Sequence, residues 1–453
     1  MKARSPRILR RIGTTLVLVA AAVAVPAMNA PPAEAHAGPH NPTVGSTLTY
    51  VVNGQDRNCA TKAPGSVSCP KFKITKCNGA DSSRDGWYAR SNPPAGTPIR
   101  AMLVVLSGGG GTSYWQQQAS AGSAEDQRVD ALLNDLRNAG FAIFQVRWGV
   151  DWPKADPGNN DGLHIACRPA RIVESIHQRQ WVPLGLNYAT GVCGFCVMGT
   201  SGGSSAAAWS LTHFMTESYV DGVFPTGGPP HGAMAKGCAP SGPPETGYDY
   251  GEGSSIQQID NPFLASSVKE CAVHAASYRP TWDLHSIATT RSAGDHSHPT
   301  TRVHLLDGSQ DELRLHGYDW MLRMWQAQSA YTSFEIVPGG LHSIYDTQLG
   351  MDRLKAAILL SDTTKFRACN NGLDDDWDGQ TDATDPGCAS TADATEKYTA
   401  ACDNGLDDDG DGFVDFRTEY GDAGCSGASD ATEADGSGSA VASPGPLPER
   451  TRE

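Results

Sequence analysis

Phe195-Cys-Val-Met-Gly-Thr-Ser-Gly-Gly-Ser-Ser-Ala-Ala-Ala-Trp209 is the stretch whose reading decides the fold. Cys196, Val197 and Met198 form a short apolar run of the kind buried in a sheet, and the Ala-rich end reads as the start of a helix. Between them, Gly199-Thr200-Ser201-Gly202-Gly203 has the spacing G-x-S-x-G. A strand that turns this sharply into a helix needs small residues on both sides of the bend and leaves the central hydroxyl exposed. The N–H of Gly202 would then be a free donor at a helix N-terminus.

Working outward, the neighbouring segments alternate between strand and helix. Residues 101–106 are continuously apolar, as in a strand covered on both faces, and run into Ser107-Gly108-Gly109-Gly110-Gly111. Residues 124–139 carry Val129, Leu132, Leu133 and Leu136 at helical spacing, with Ser123 as N-cap. Strands are expected at 141–148, 219–224, 303–306 and 334–337, and helices at 165–178, 313–329 and 351–361. Such alternation predicts an α/β fold, a mostly parallel sheet with helices on both faces. Residues 226–300 are Gly- and Pro-rich and read as a lid or cap insertion, with a helix expected near 266–276.

A serine nucleophile needs a base, a carboxylate to orient the base, and donors for the developing oxyanion. In an α/β sheet these sit on loops at the carboxyl ends of strands. Asp307-Gly-Ser-Gln-Asp311 follows one expected strand and offers two acids. His342 follows the last strand on a Gly-rich loop. The Gly108–Gly111 run offers main-chain donors; a phosphate loop would need a Lys that is missing here. Tyr114, Trp115 and Trp152 are candidates for an aromatic pocket, with ordinary packing the equal alternative. His304 reads as a packed strand residue, and His296 and His298 as a solvated pair.

In the order Gly-rich loop, Ser201, Asp311, His342 the chain resembles the α/β-hydrolase superfamily over roughly residues 100–360, in particular its serine esterases and lipases. The resemblance implies Ser201 as nucleophile, His342 as base and Asp311 as acid, with Asp307 the runner-up. It implies an oxyanion hole from Gly202 and the Gly109/Gly110 region. Ser107 stands where such loops commonly carry His.

Composition narrows the setting. Residues 1–35 read as a secretory signal, with basic Lys2, Arg4, Arg7, Arg10 and Arg11 ahead of an apolar run. Export suits the 12 cysteines. Cys59 with Cys69 or Cys77, and Cys238 with Cys271, are candidate local pairs, and Cys193-x-x-Cys196 reads as a structural bridge. Residues 366–433 hold 18 Asp and Glu against 3 Lys and Arg, which accounts for the whole formal charge of −15. The remainder is near neutral, which argues against a nucleic-acid partner.

The acidic part is a two-copy repeat. Cys369-Asn-Asn-Gly-Leu-Asp-Asp-Asp-Trp-Asp-Gly returns as Cys402-Asp-Asn-Gly-Leu-Asp-Asp-Asp-Gly-Asp-Gly, and each copy closes with Gly-Cys and Asp-Ala-Thr-Glu. Asp374, Asp376, Asp378 and Asp382, then Asp407, Asp409, Asp411 and Asp415, have the alternate spacing that cages a hard cation such as Ca²⁺. These loops resemble EF-hand-type and thrombospondin type 3 calcium loops. Asp385 stands at loop position twelve in the first copy; in the second Thr418 does, with Asp422 as a later ligand.

The expectation is therefore a secreted serine hydrolase of carboxylic esters. It comprises residues 1–35 as signal, 36–365 as α/β-hydrolase domain, repeats at 366–398 and 399–436, and a disordered tail at 437–453. Calcium would be structural, with no cofactor for catalysis, no membrane anchor, and a surface or matrix contact through the repeats. The alternatives are a serine peptidase of the same fold, a polyester or polysaccharide-ester depolymerase, and a non-catalytic calcium-dependent adhesion protein.

Overall fold

The computed structural model describes residues 47–434, apart from 57–58, 60–64, 78–79, 155–161, 187–188, 215, 239–247, 249, 251–255, 257–258, 261–270, 274–275, 289–293, 410–413 and 419–420. The expected signal, the 437–453 tail, Asp411 and most of the expected helix near 266–276 lie outside the described residues. The described residues belong to one compact unit.

Nine strands make one sheet: β1 (Thr47–Gln55), β2 (Pro70–Cys77), β3 (Ala80–Ser91), β4 (Ala101–Leu106), β5 (Phe141–Trp148), β6 (Phe195–Thr200), β7 (Gly222–Thr226), β8 (Arg302–Gly308) and β9 (Thr332–Val337). Their order is β1-β2-β3-β5-β4-β6-β7-β8-β9. The first three strands and their junction with β5 are antiparallel, and every later pairing is parallel. This is the mostly parallel sheet covered by helices that the alternation of strands and helices predicts. β4 and β6 are buried at all six positions, because helices cover both faces.

Two apolar clusters flank the sheet. One holds Val129, Leu132, Leu133 and Leu136 of α1 (Ala124–Asn138) with Met351, Leu354 and Ile358 of the C-terminal helix Gln348–Leu359. Ser123 caps α1 by accepting from the Asp126 N–H at 3.2 Å. The other cluster gathers α2 (Gly162–Ile176), α3 (Gly202–Phe214) and the helix Arg314–Gln326.

The strand order changes direction at β4, which has β5 on one side and β6 on the other. Ligands of open α/β sheets bind at such a switch point, beyond the carboxyl ends of the strands. The registers make that rim level. Leu106 pairs with Gly199, Thr200 with Thr226, Thr226 with Leu306, and Gly308 with Val337. The loops after β4, β6, β7, β8 and β9 therefore all leave from one edge.

The described parts of 226–300 are packed rather than peripheral. Met234, Trp282 and Ile287 are fully buried. The Ala233 N–H donates to Nδ1 of His316, and Cys238 is bonded to Cys271. Among the described residues no helix is long and apolar enough to cross a membrane.

Candidate active site

Ser201 lies between β6 and α3 with φ of +53°, one of five non-glycine residues in the left-handed region among those described. That conformation is strained for a residue with a Cβ, and strain of this kind concentrates at functional sites. The surrounding glycines are needed for close approach. A Cβ on Gly199 would strike the Gly203 backbone, and one on Gly203 would strike Leu106 O. The bend is held from outside by Ser201 N–H donating to Thr226 O at 2.8 Å and by Ser204 Oγ donating to Thr226 O at 2.6 Å. Gly202 opens α3, so its N–H has no acceptor within the helix.

The acid and base meet. His342 Nδ1 and Asp311 Oδ1 are 2.9 Å apart, the acid fully buried and the imidazole about a third exposed. Oδ1 of Asp311 also accepts from the Leu313 N–H at 2.9 Å. Burial of the ring opposes its charge, but the Asp311 charge and hydrogen bond, with Asp307 and Glu312 nearby, outweigh this and raise His342 to about 9.

Asp307 is placed differently. It is buried, and its Oδ1 accepts from the Gly228 N–H at 2.6 Å, tying the loop after β7. Burial first, and the Asp311 charge second, hold its carboxyl well above the ordinary carboxylate range. Asp307 anchors the loop after β7, and Asp311 is the residue bonded to the imidazole.

Thr226 and Gly227 lie between serine and histidine. Thr226 O accepts from Ser201, and a Cβ on Gly227 would stand 3.6 Å from His342 Cε1. No hydrogen bond links Ser201 Oγ to the imidazole in this structure. Such bonds commonly tighten only when substrate is bound.

The Gly-rich loop adjoins the elbow. A Cβ on Gly108 would lie 3.1 Å from Thr200 O and 3.4 Å from Ser201 Cβ. The Gly108 N–H is taken by Oε1 of Gln118 at 3.1 Å, while those of Gly109 and Gly110 meet no acceptor among the described residues. Gln118 was not singled out by sequence; a glutamine in an irregular loop carries no periodic or motif signal.

The three aromatic candidates are all buried. Tyr114 OH donates to Asp56, Trp115 joins the α1 cluster, and Trp152 packs edge-on to Trp209 at 6.1 Å. Packing is thus what their contacts show. His298, expected as one of a solvated pair, is instead fully buried, because the chain folds its N–H onto Ser329 Oγ at 2.8 Å. His304 bonds Glu335 and Ser333 across β9.

In the repeats, oxygens of Asp374, Asp376 and Asp378 lie within 4.8 Å of one another, as do those of Asp376, Asp385 and Glu396. Asp385 Oδ2 is buried with no hydrogen-bond partner. Burial and then the charge of Asp376 raise Asp385 to about 7. Asp382 accepts from the Asn371 and Gly372 N–H groups, and Asp415 from those of Asn404 and Gly405. Both thus brace the loop backbone. Asp422 is buried and caps Gly424 as Asp385 caps Gly387. Lys397 Nζ lies 3.5 Å from Asp376, 3.1 Å from Asp403 and 3.0 Å from Asp415, joining the two copies. Asp407 and Asp409 are described but belong to none of these oxygen clusters.

Disulfides join Cys59–Cys69, Cys77–Cys167, Cys193–Cys196, Cys238–Cys271, Cys369–Cys388 and Cys402–Cys425.

No protein-family model matches the chain, and no curated protein matches it. Among solved structures it is similar to Est1E from Butyrivibrio proteoclasticus, at 13% identity over 62% of this chain and 95% of that one, TM-score 0.36. It is also similar to carboxyl esterase 2 of the mycorrhizal fungus Tuber melanosporum, at 13% identity over 61% and 80%, TM-score 0.39. A third is a soluble variant of monoglyceride lipase from Saccharomyces cerevisiae, at 15% identity over 62% and 92%, TM-score 0.36. These similarities assign no residue and no substrate.

Proposed function

We propose that this chain is a secreted serine hydrolase of carboxylic esters, with Ser201 as nucleophile, His342 as base and Asp311 as orienting acid. The observation that carries the reading is the buried Asp311 bonded to His342 at 2.9 Å, on loops that share a rim with a serine held at positive φ.

Asp311 fixes a proton on Nδ1, so Nε2 is left as the basic nitrogen. His342 takes the Ser201 proton as Oγ bonds to the ester carbonyl carbon. The carbonyl electron pair moves onto oxygen, where the N–H groups of Gly202, Gly109 and Gly110 receive it. Return of the electron pair expels the alcohol, protonated by His342, and water then frees the acid by the same steps.

The repeats at 366–398 and 399–436 are read as calcium-stabilised buttresses of the 36–365 domain. Asp374, Asp376, Asp378 and Asp385 would hold the ion in the first copy, and Asp407, Asp409, Asp411 and Asp422 in the second. The orphaned oxygen of Asp385 fits a hard cation better than a hydrogen-bond donor. Calcium would supply charge neutralisation there and no catalytic step.

The test compares hydrolysis of p-nitrophenyl esters with that of peptide anilides, for the full chain and for His342→Ala. Ester turnover lost in the variant supports the reading. Peptide cleavage without ester cleavage would favour a peptidase, and neither activity would favour a binding protein.

A further inference from the structure

Gln118 sits at the end of the short 3-10 turn Trp115–Gln117, its own N–H donating to Trp115 O at 3.0 Å. The turn is anchored on both sides. Trp115 is buried among α1 side chains, and Gln116 is locked to Gln145 and Asp130 at 2.6 Å each. An amide mounted on such a turn is held before any substrate arrives.

The direction of that amide follows from its one hydrogen bond. The Gly108 N–H can donate only to an acceptor, so Oε1 faces Gly108 and the NH₂ group is the other end. Nε2 lies 2.9 Å from the point where a Cβ on Gly108 would stand, and Ser201 Cβ lies 3.4 Å from that same point. Gln118 Nε2 has no acceptor among the described residues. A donor without a partner among the described residues thus stands next to the glycine loop, on the same Gly108 position that Ser201 Cβ approaches.

We infer that the Gln118 side-chain amide is a third arm of the oxyanion hole, donating from Nε2 to the oxygen that Ser201 attack makes anionic. This deepens the serine-hydrolase reading and rests on it. When Oγ bonds to the carbonyl carbon and its proton passes to His342, the displaced carbonyl pair resides on oxygen. Nε2–H meets that charge with a preformed dipole. Oε1 meanwhile takes the Gly108 N–H, so this glycine does not compete for the substrate. The main-chain donors of the hole are then those of Gly202, Gly109 and Gly110.

Two variants separate donation from support. Gln118→Glu keeps an oxygen for Gly108 but replaces the NH₂ by a second oxygen. Gln118→Ala removes both. We expect kcat on a p-nitrophenyl ester to fall about 10²-fold or more in each, with KM changed little, as for loss of one oxyanion donor. A peptide-mapped fluorophosphonate adduct on Ser201 of the unaltered chain establishes that the serine is the nucleophile independently of Gln118. If that adduct forms and Gln118→Glu keeps near-normal kcat, Gln118 only supports the loop and the inference fails. If no adduct forms on Ser201, the underlying reading fails first and takes the inference with it. Circular dichroism of both variants checks that they are folded; if Gln118→Ala is not, Gln118→Glu alone decides.

Discussion

Trp377 of the first acidic repeat stacks on Tyr318 of the helix Arg314–Gln326, with ring centroids 4.9 Å apart and planes 26° apart. Its backbone has φ of +68°, which favours glycine, and the second repeat carries Gly410 at the matching place. The ring carried at this strained position also meets Phe334 of β9 at 4.8 Å. Next to it, Asp375 Oδ1 accepts from the Phe334 N–H at 2.7 Å, so the repeat takes up a main-chain donor of the edge strand β9.

Loss of that contact should be felt as stability. Trp377→Ala is expected to destabilise the chain by about 3 kcal/mol, in the range for burying and then removing a large aromatic ring. Urea unfolding followed by tryptophan fluorescence measures it. A change within about 0.5 kcal/mol, typical of surface substitutions, would mean that the stack is incidental.

Calcium removal should act on the same seam. Without the ion, Asp374, Asp376, Asp378 and Asp385 repel one another around a buried centre. Excess chelator is expected to lower the melting temperature, while initial ester rates well below that temperature stay unchanged. Scanning calorimetry and rates, with and without chelator, check this; an immediate loss of rate at low temperature would show the seam reaching the catalytic loops.

His342 sets the pH profile. It acts as base only when neutral, so kcat/KM should rise with pH, its midpoint above the ordinary value of about 6.5 and toward about 9. The stability sign is opposite. The folded value exceeds the unfolded one, so the pairing stabilises fully below about pH 6.5 and fades as pH approaches about 9. Asp311→Asn should lower kcat/KM about 10⁴-fold and move the midpoint down. Asp307→Asn should spare most of the rate; the reverse pattern would exchange the two roles.

Asp307 lies within β8 and Asp311 three residues beyond its end, and the letters rank Asp311 first only through the resemblance and its spacing from Gly308. Only the three-dimensional path of β8 and β9 brings the imidazole to Asp311. The elbow was legible because three constraints coincide there: an apolar strand, paired glycines and an Ala-rich helix start. The parallel sheet was legible from buried runs such as Ala101–Leu106. Long-range pairings were not. Cys77 and Cys167 are 90 residues apart, and the Asp375 contact to β9 joins the acidic repeat to a strand 41 positions earlier. The burial of His298 is not legible in sequence, because an irregular segment leaves no periodic trace.

That buried histidine gives an acid-side expectation. Burial lowers His298 to about 3, and neither ring nitrogen has a hydrogen-bond partner. Its folded value lies below the unfolded one, so the unfolded chain binds the proton more readily. Stability should fall as pH drops from about 6.5 toward about 3. His298→Leu should flatten that slope in unfolding free energy measured between pH 7 and 4; an unaltered slope would place the acid sensitivity elsewhere.

The nucleophile is tested most directly by mass mapping of a fluorophosphonate adduct on the intact chain and on Ser201→Ala. The expected result is one adduct, on the peptide that contains Ser201, with neither label nor ester turnover in the variant. An adduct on another serine, or turnover that persists in Ser201→Ala, would contradict the assignment.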